Sequence, residues 1–188
     1  MNQKIKKMIL ITIVVIIGVI SLLYILGTNE IKTRSELIIN KDIQTVWEVM
    51  GNQFPDVHRW SSNFTASKSG GAPKLANLDY LYRETITERG VTVQEVDVFN
   101  PDNYSVKYHI TKGAPAIAKM ASGHWYLERI TDEKTNVVIE FFLETEGIKA
   151  RMLSPLIKKK IGANGAEIAK ELKYYIENGK AHPNKANK

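Results

Sequence analysis

The apolar stretch at residues 8–27, MILITIVVIIGVISLLYILG, constrains this chain more than any other segment. It contains no charged side chain. As a helix it would extend about 30 Å, the thickness of the hydrocarbon core of a bilayer. Because every backbone polar group in lipid must be satisfied within the segment, a helix is the expected form despite the many β-branched residues. The sequence therefore predicts one transmembrane helix at residues 8–27.

The charges on either side of this segment predict its orientation. Three lysines precede it, namely Lys4, Lys6 and Lys7, whereas the four charges that follow it cancel, namely Glu30, Lys32, Arg34 and Glu36. This asymmetry favours a cytoplasmic N-terminus at residues 1–7 and a single-pass protein of the cell membrane with an extracytoplasmic domain. The alternative is a cleaved signal peptide, but such peptides usually have an apolar region of about 7 to 15 residues. Residues 26–28, LGT, also fit a cleavage site poorly, so we favour an uncleaved anchor.

The residues after the anchor are typical of one globular domain, which we place at residues 28–180, followed by a polar tail at 181–188. The chain contains no cysteine, so disulfides, thiolate metal sites and cysteine nucleophiles are excluded. The net charge is +6, but the three lysines before the anchor contribute half of it. Because no concentrated basic stripe remains in the domain, we predict no nucleic-acid partner.

Alternating and helical patterns predict the order of elements in the domain. A strand at residues 31–39 precedes a helix capped by Asn40 and a short helix at 55–60. A short strand near residues 64–67 is followed by five better ones, at residues 80–87, 91–99, 104–111, 124–130 and 137–144. The short turns between these strands predict an antiparallel meander, because parallel neighbours need long crossovers. The long apolar connection at residues 113–123 is expected either to gate a cavity or to cover the end of the sheet.

The last part of the domain predicts one long amphipathic helix. Its apolar face comprises Leu153, Ile157, Ile161, Ile168, Leu172 and Tyr175, and lysines lie largely on the other side. Gly162 and Gly165 predict a bend or a close approach to the sheet. Gly179 is expected to end the helix.

Several short segments, taken in order, resemble one superfamily. They are residues 39–47 (INKDIQTVW), Trp60, residues 125–128 (WYLE) and residues 172–177 (LKYYIE). The chain is similar over residues 31–180 to the START-like superfamily, which includes Bet v 1 relatives and the polyketide cyclase/dehydrase and lipid-transport group. The resemblance implies an α+β helix-grip fold, in which a curved antiparallel sheet wraps around a long C-terminal helix and encloses an apolar cavity. It transfers no set of catalytic residues.

The cavity would be lined by the concave face of the sheet and the inner side of the long helix. The candidates are Tyr80, Tyr82, Tyr108, Trp125, Leu127, Phe141, Leu143, Met152, Leu156 and Ile157. The competing interpretation is that these side chains simply fill the core.

Other polar residues give weaker signals. The four histidines have no ligand spacing, so we predict no metal and no cofactor. His109 and His124 could form a proton-transfer group with Glu128, although strand histidines more often face solvent. The strand carboxylates are interpreted as a solvated convex face with Arg83, Lys107 and Arg129 as cross-strand partners.

Three functions remain open from the sequence. The leading hypothesis is a non-enzymatic, membrane-anchored binding domain for a lipid or another hydrophobic small molecule. The second is an enzyme of the cyclase, dehydrase or hydrolase type acting on a hydrophobic substrate. The third is an interaction module for other envelope proteins. The sequence does not determine the oligomeric state.

Overall fold

The structure is a computed structural model, and it describes residues 2–186. Helix α1 extends over Gln3–Leu26, and the side chain of Asn2 caps it by accepting a hydrogen bond from the Lys4 amide. None of its side chains is buried. By length and composition, this helix could cross a membrane.

A seven-stranded sheet forms the centre of the domain. Its strands are β1 (Glu30–Ile39), β2 (Ala66–Gly70), β3 (Tyr82–Thr87), β4 (Gly90–Asn100), β5 (Ser105–Lys112), β6 (Ala118–Thr131) and β7 (Lys134–Thr145). The order is β1-β7-β6-β5-β4-β3-β2, and every neighbouring pair is antiparallel. The predicted meander is thus confirmed, with β1 added at the edge beside β7.

Strand β6 begins earlier than the sequence predicts. Residues 118–123 lack the β-branched residues that mark a strand, yet Ala118 pairs with Thr145 and Gly123 pairs with Phe141. A Cβ atom at position 123 would lie 2.3 Å from the Tyr108 ring, so glycine is required there. The prediction of a loop over 113–123 was therefore wrong, and the connection between β5 and β6 is confined to residues 113–117.

Three short helical segments connect β1 to β2, namely α2 (Ile43–Trp47), a π-helical turn (Glu48–Asn52) and a 3₁₀ helix (Phe54–Arg59). Asp42, not Asn40, caps α2, because the Asp42 carboxylate accepts a hydrogen bond from the Thr45 amide at 2.9 Å. Asn40 instead donates its side-chain amide to Glu177 of the C-terminal helix at 2.9 Å. The predicted cap was therefore wrong by two residues.

Helix α3 (Ile148–Asn178) lies against the sheet, and a short helix α4 (Pro183–Ala186) follows it. Gly165 faces β1 closely, since a Cβ atom there would lie 3.0 Å from Ser35 Oγ. The close approach is thus confirmed, and the helix continues through both glycines. Gly179 ends the helix in a left-handed conformation. Leu153 was wrongly placed on the inner face: Ala150 and Ser154 are buried there, and Leu153 lies about 100° from Ser154 around the helix.

The buried apolar residues form two clusters. The larger one lies between the sheet, the short helices and the second half of α3, and includes Trp47, Phe54, Trp60, Trp125 and Leu172. The smaller one consists of Ile31, Ala121 and Leu143, with Phe141, Ile157 and Ile161 packed against it. Because Ile31 is the second residue of β1, the smaller cluster lies at the end of the sheet next to α1.

The end of α1 contacts the start of α3, and we call this contact the α1–α3 joint. The Thr28 amide donates to Ser154 Oγ at 2.9 Å, and the Ser154 hydroxyl donates to the Arg151 carbonyl at 2.8 Å. That carbonyl lacks its usual helical donor because Pro155 has no N–H. A Cβ atom at position 27 would lie 2.1 Å from the same carbonyl oxygen, so only Gly27 permits this approach.

Candidate ligand site

Most of the predicted cavity residues lie between the sheet and the helices. Tyr80, Tyr108, Trp125 and Leu127 belong to the larger cluster. Phe141, Leu143 and Ile157 belong to the smaller one or pack against it. Whether these side chains contact a ligand remains a prediction.

The other three candidates are not brought into this group. Met152 is half-buried, and Leu156 is 67% exposed. Tyr82 lies on the outer face of the sheet, where its ring covers Gly70 and Gly71. Tyr80 and Tyr82 differ because β3 begins only at Tyr82, so the alternation of strand side chains does not extend back to Tyr80.

Arg83 occupies the centre of the larger cluster, where sequence reasoning did not place it. Its side chain is fully buried, so the interpretation of Arg83 as a partner on the solvated convex face was wrong. Tyr82 and Glu84 take the outward positions of β3, and alternation turns Arg83 inward. Nε donates to Gln94 Oε1 at 2.7 Å, and Nη1 donates to the Phe54 carbonyl at 2.9 Å.

Aromatic rings surround the Arg83 guanidinium. Its carbon lies 3.6 Å from the centre of the Phe54 ring, 5.2 Å from that of Trp125 and 5.7 Å from that of Tyr108. Such contacts stabilise a cation by roughly 0.5 to 2 kcal/mol each. We call Arg83, Gln94, Tyr80 and these three rings the interior site.

The charge of Arg83 has no acidic partner within the residues that the structure describes. Among residues 2–186 no carboxylate forms an ion pair with it, and Nη2 has no hydrogen-bond partner. Burial lowers the pKa of Arg83 to about 10, so the side chain is still charged at neutral pH. An uncompensated buried charge is strongly unfavourable. The geometry therefore leaves donors directed into an aromatic interior without an acceptor.

Further buried polar atoms lack partners in the described part of the chain. Tyr80 Oη is one, and burial raises the pKa of Tyr80 to about 12, an effect that the charge of Arg83 opposes. Glu171, fully buried in α3, accepts a hydrogen bond from the Ser62 amide at 2.8 Å through Oε2, whereas Oε1 has no partner. The indole nitrogens of Trp47 and Trp60 are also unpartnered. Buried polar groups are usually satisfied, so each of these atoms is an exception to that pattern.

The outer face of the sheet carries a second group of polar residues. His124 Nε2 lies 2.9 Å from Ser105 Oγ, and His124 Nδ1 lies 3.5 Å from Glu140 Oε2. Burial lowers the pKa of His124, with Lys107 adding to this effect. His124 and Glu140 line an open groove of about 480 Å³, whose lining also includes Lys32, Arg34, Lys107 and Phe142.

The predicted proton-transfer group is not brought together. His109 contacts Asp97 at 2.8 Å, and Glu128 accepts from the Asn136 amide at 2.8 Å. Neither reaches His124. Within residues 2–186 there is also no cluster of three or more side chains suited to a metal ion.

Comparison with known structures supports the fold. The domain is similar to a START superfamily protein from Mycobacterium smegmatis, with 13% identity, a TM-score of 0.63, and coverage of 78% of this chain and 97% of that one. It is similar to the protein XoxI from Bacillus cereus, with 15% identity, a TM-score of 0.61, and coverage of 81% and 99%. The Zhui aromatase/cyclase of a Streptomyces species gives 14% identity, a TM-score of 0.60, and coverage of 81% and 99%.

No family model and no curated protein sequence matches the chain. The structural matches and the sheet topology nevertheless agree with the resemblance found in the sequence. The chain has the START-like helix-grip fold shared by these proteins, with an apolar helix added at its N-terminus.

Proposed function

We propose that this chain is a membrane-anchored binding domain that holds a lipid or another hydrophobic small molecule in its interior. The observation that carries the proposal is the interior site, where the buried Arg83 cation has an unpartnered Nη2 and, among residues 2–186, no counter-ion. A carboxylate or another acceptor-rich head group would accept from Nη2, while the aromatic rings would contact the apolar part. The START-like fold supports this proposal.

The anchor in this proposal is α1. Its length and apolar composition support a single transmembrane span, and the lysines before it support a cytoplasmic N-terminus in the cell membrane. Only three residues separate α1 from β1, so the domain would be held directly on the extracytoplasmic surface. A ligand drawn from the bilayer would have a short distance to travel.

The first test is to produce residues 28–188, confirm folding by circular dichroism, and identify co-purified small molecules by native mass spectrometry. We expect a stoichiometric apolar compound with an acidic or acceptor-rich end. Arg83→Met should lose it, whereas the control Arg129→Met should retain it, because the Arg129 side chain is about half exposed and is not part of the interior site. Retention of the same compound by Arg83→Met would contradict the role of Arg83.

A second test uses defined probes. Palmitic acid should raise the unfolding temperature of the domain, and hexadecanol, which has the same chain without a charge, should do so far less. At a hundred times its Kd, a ligand stabilises a protein by about 2.7 kcal/mol. Equal responses to the acid and the alcohol would show that the head group does not pair with Arg83. No response to any apolar probe, together with an empty purified domain, would overturn the binding proposal.

One observation favours an enzyme as the second candidate. Ser105, His124 and Glu140 have the order of a nucleophile, a base and an orienting acid, and His124 and Glu140 line a groove. Against this, Ser105 pairs with Tyr126 in the sheet ladder, so the strand amides beside it are engaged in the sheet and not directed at an oxyanion. Hydrolysis of p-nitrophenyl esters that Ser105→Ala abolishes would support this candidate, and activity unchanged by that variant would exclude it.

A further inference from the structure

The α1–α3 joint fixes the position of the start of α3 along the axis of α1. Arg151 Nε donates to the Tyr24 carbonyl at 3.1 Å, and the guanidinium lies 4.7 Å from the centre of the Tyr24 ring. The Thr28 amide is bound to Ser154 one turn further along α3. The first two turns of α3 are therefore held beside the last turn of α1.

A helix that spans a bilayer places its last turn at the boundary between hydrocarbon and head groups, where tyrosine is favoured. One helical turn corresponds to about 5 Å. Because Arg151 contacts Tyr24, the start of α3 must lie within about one turn of that boundary. This conclusion rests on the proposed anchoring by α1.

The start of α3 exposes large apolar side chains at this level. Ile148 is 66% exposed, Leu156 is 67% exposed and Leu153 is 50% exposed, and Met152 is half-buried beside them. Ile148, Met152 and Leu156 follow each other at intervals of four, so they share one side of the helix. We call these four residues the apolar stripe.

The rest of α3 differs from the stripe. From position 163 onward its exposed positions carry only small or polar residues, namely Ala163, Asn164, Ala166, Lys170 and Asn178. Exposed lysines occur beside the stripe at positions 149, 159 and 160. Exposed leucine and isoleucine flanked by lysine is the composition of a helix that lies in a membrane interface. The apolar surface is thus confined to the part of the helix that the joint holds near the bilayer.

We propose that the apolar stripe is a second membrane contact, inserted into the outer surface of the bilayer beside α1. Ile148, Leu153 and Leu156 contact acyl chains, and the neighbouring lysines contact the phosphates of anionic lipids. The domain is then fixed by a span and by the first turns of α3 at the surface, so its orientation relative to the bilayer is defined. Ile157 and Ile161, just beyond the stripe, pack on the smaller core cluster, which places that cluster next to the lipid.

The absence of cysteine allows a direct test on the full chain. Single variants Ile148→Cys, Leu153→Cys and Leu156→Cys are labelled with a nitroxide and reconstituted into vesicles of phosphatidylcholine and phosphatidylglycerol. The accessibility of each label to oxygen and to a water-soluble nickel chelate is then measured. At each of these positions we expect a ratio of oxygen to nickel accessibility several-fold higher than at the control Ile130→Cys. Ile130 is exposed, and it lies twelve residues along β6 from Ala118, a distance of about 40 Å along the strand.

Val15→Cys, in the middle of α1, separates the two proposals. A lipid-like ratio at position 15 with an aqueous ratio at the stripe positions would overturn the second contact and leave the anchor in place. An aqueous ratio at position 15 would overturn the anchor itself. If the labels at the stripe are shielded from both reagents and their spectra are broadened by spin–spin contact, the stripe contacts a second copy of the chain. That outcome also overturns the proposal.

A paired variant provides an independent readout. Leu153→Glu with Leu156→Glu adds two charges at exposed positions, so folding should be unaffected, and tryptophan fluorescence verifies this. The label at Ile148→Cys should then become several-fold more accessible to nickel. Glu128→Gln, an exposed charge change on the outer sheet face, should leave it unchanged. If the nickel accessibility of the label at position 148 is unchanged in the paired variant, the stripe is not inserted in the bilayer.

Discussion

The α1–α3 joint and the interior site each contain a buried polar side chain, Ser154 and Arg83 respectively, but the two networks differ in completeness. In the joint, the Thr28 amide, the Ser154 hydroxyl and the Arg151 carbonyl satisfy one another in a chain. In the interior site, Arg83 Nη2 and Tyr80 Oη have no partner among the described residues. A complete network stabilises one geometry, whereas an incomplete one reduces stability until something binds. The joint is therefore a structural device, whereas the interior site contains polar atoms that the ligand would satisfy if the proposed function is correct.

The largest expected effect tests the cost of the unpaired cation. Replacing Arg83→Met together with Gln94→Leu removes both the charge and its main acceptor. Because apolar replacements of a buried ionic group are often neutral or stabilising, we expect the free energy of unfolding of the ligand-free domain to rise by about 1 to 4 kcal/mol. Urea unfolding, followed by the fluorescence of the three buried tryptophans, measures it. A loss of stability would indicate that Arg83 is part of the structural core.

The second prediction removes a hydroxyl from the joint. Ser154→Ala deprives the Thr28 amide and the Arg151 carbonyl of their partner, and Pro155 prevents the helix from supplying another. We expect the full chain in lipid nanodiscs to lose about 1 to 3 kcal/mol of unfolding free energy. The exposed Ser69→Ala is the control. Equal stability of both variants would mean that the joint does not hold the two helices together.

The third prediction removes a hydroxyl from the interior site. Tyr80→Phe deletes a buried hydroxyl without a partner, so the ligand-free domain should gain about 1 kcal/mol in the same urea assay. The same variant should bind the co-purifying compound more weakly. The change in unfolding free energy is therefore expected to have opposite signs in Ser154→Ala and Tyr80→Phe, which directly tests the difference between the joint and the interior site. A loss of stability in Tyr80→Phe would remove the distinction.

The smallest effect concerns the outer face. Burial lowers the pKa of His124 in the folded state, whereas the unfolded side chain titrates near about 6.5. The unfolded state therefore binds the proton first as the pH falls through that value, and stability falls with it. His124→Gln should make the pH dependence of the unfolding free energy weaker between about pH 7 and pH 5. An unchanged pH profile would show that His124 does not contribute.

Some elements could be predicted from local patterns and others could not. The strands at β4, β5 and β7 and the long helix α3 follow from periodicity, because half of each element faces the core. The start of β6 was missed, since Ala118 to Gly123 form a strand only through pairing with β7 and close packing under Tyr108. Asn40 and Asp42 are both suitable caps, and the approach of Glu177 from α3 decides between them.

The sequence alone determined the apolar helix, the order of elements and the START-like fold. Each depends on the period of apolar residues along the chain or on motifs a few residues long. Only the tertiary structure decided that Arg83 is buried without a counter-ion in the described part of the chain and that Ile148, Leu153 and Leu156 are exposed beside α1. In an alternating strand, the sequence does not show whether an arginine lies on the inward or the outward face. A leucine in a helix is predicted to be buried until the packing of its neighbours is known. The physical reason is that burial is fixed by contacts between residues far apart in the chain.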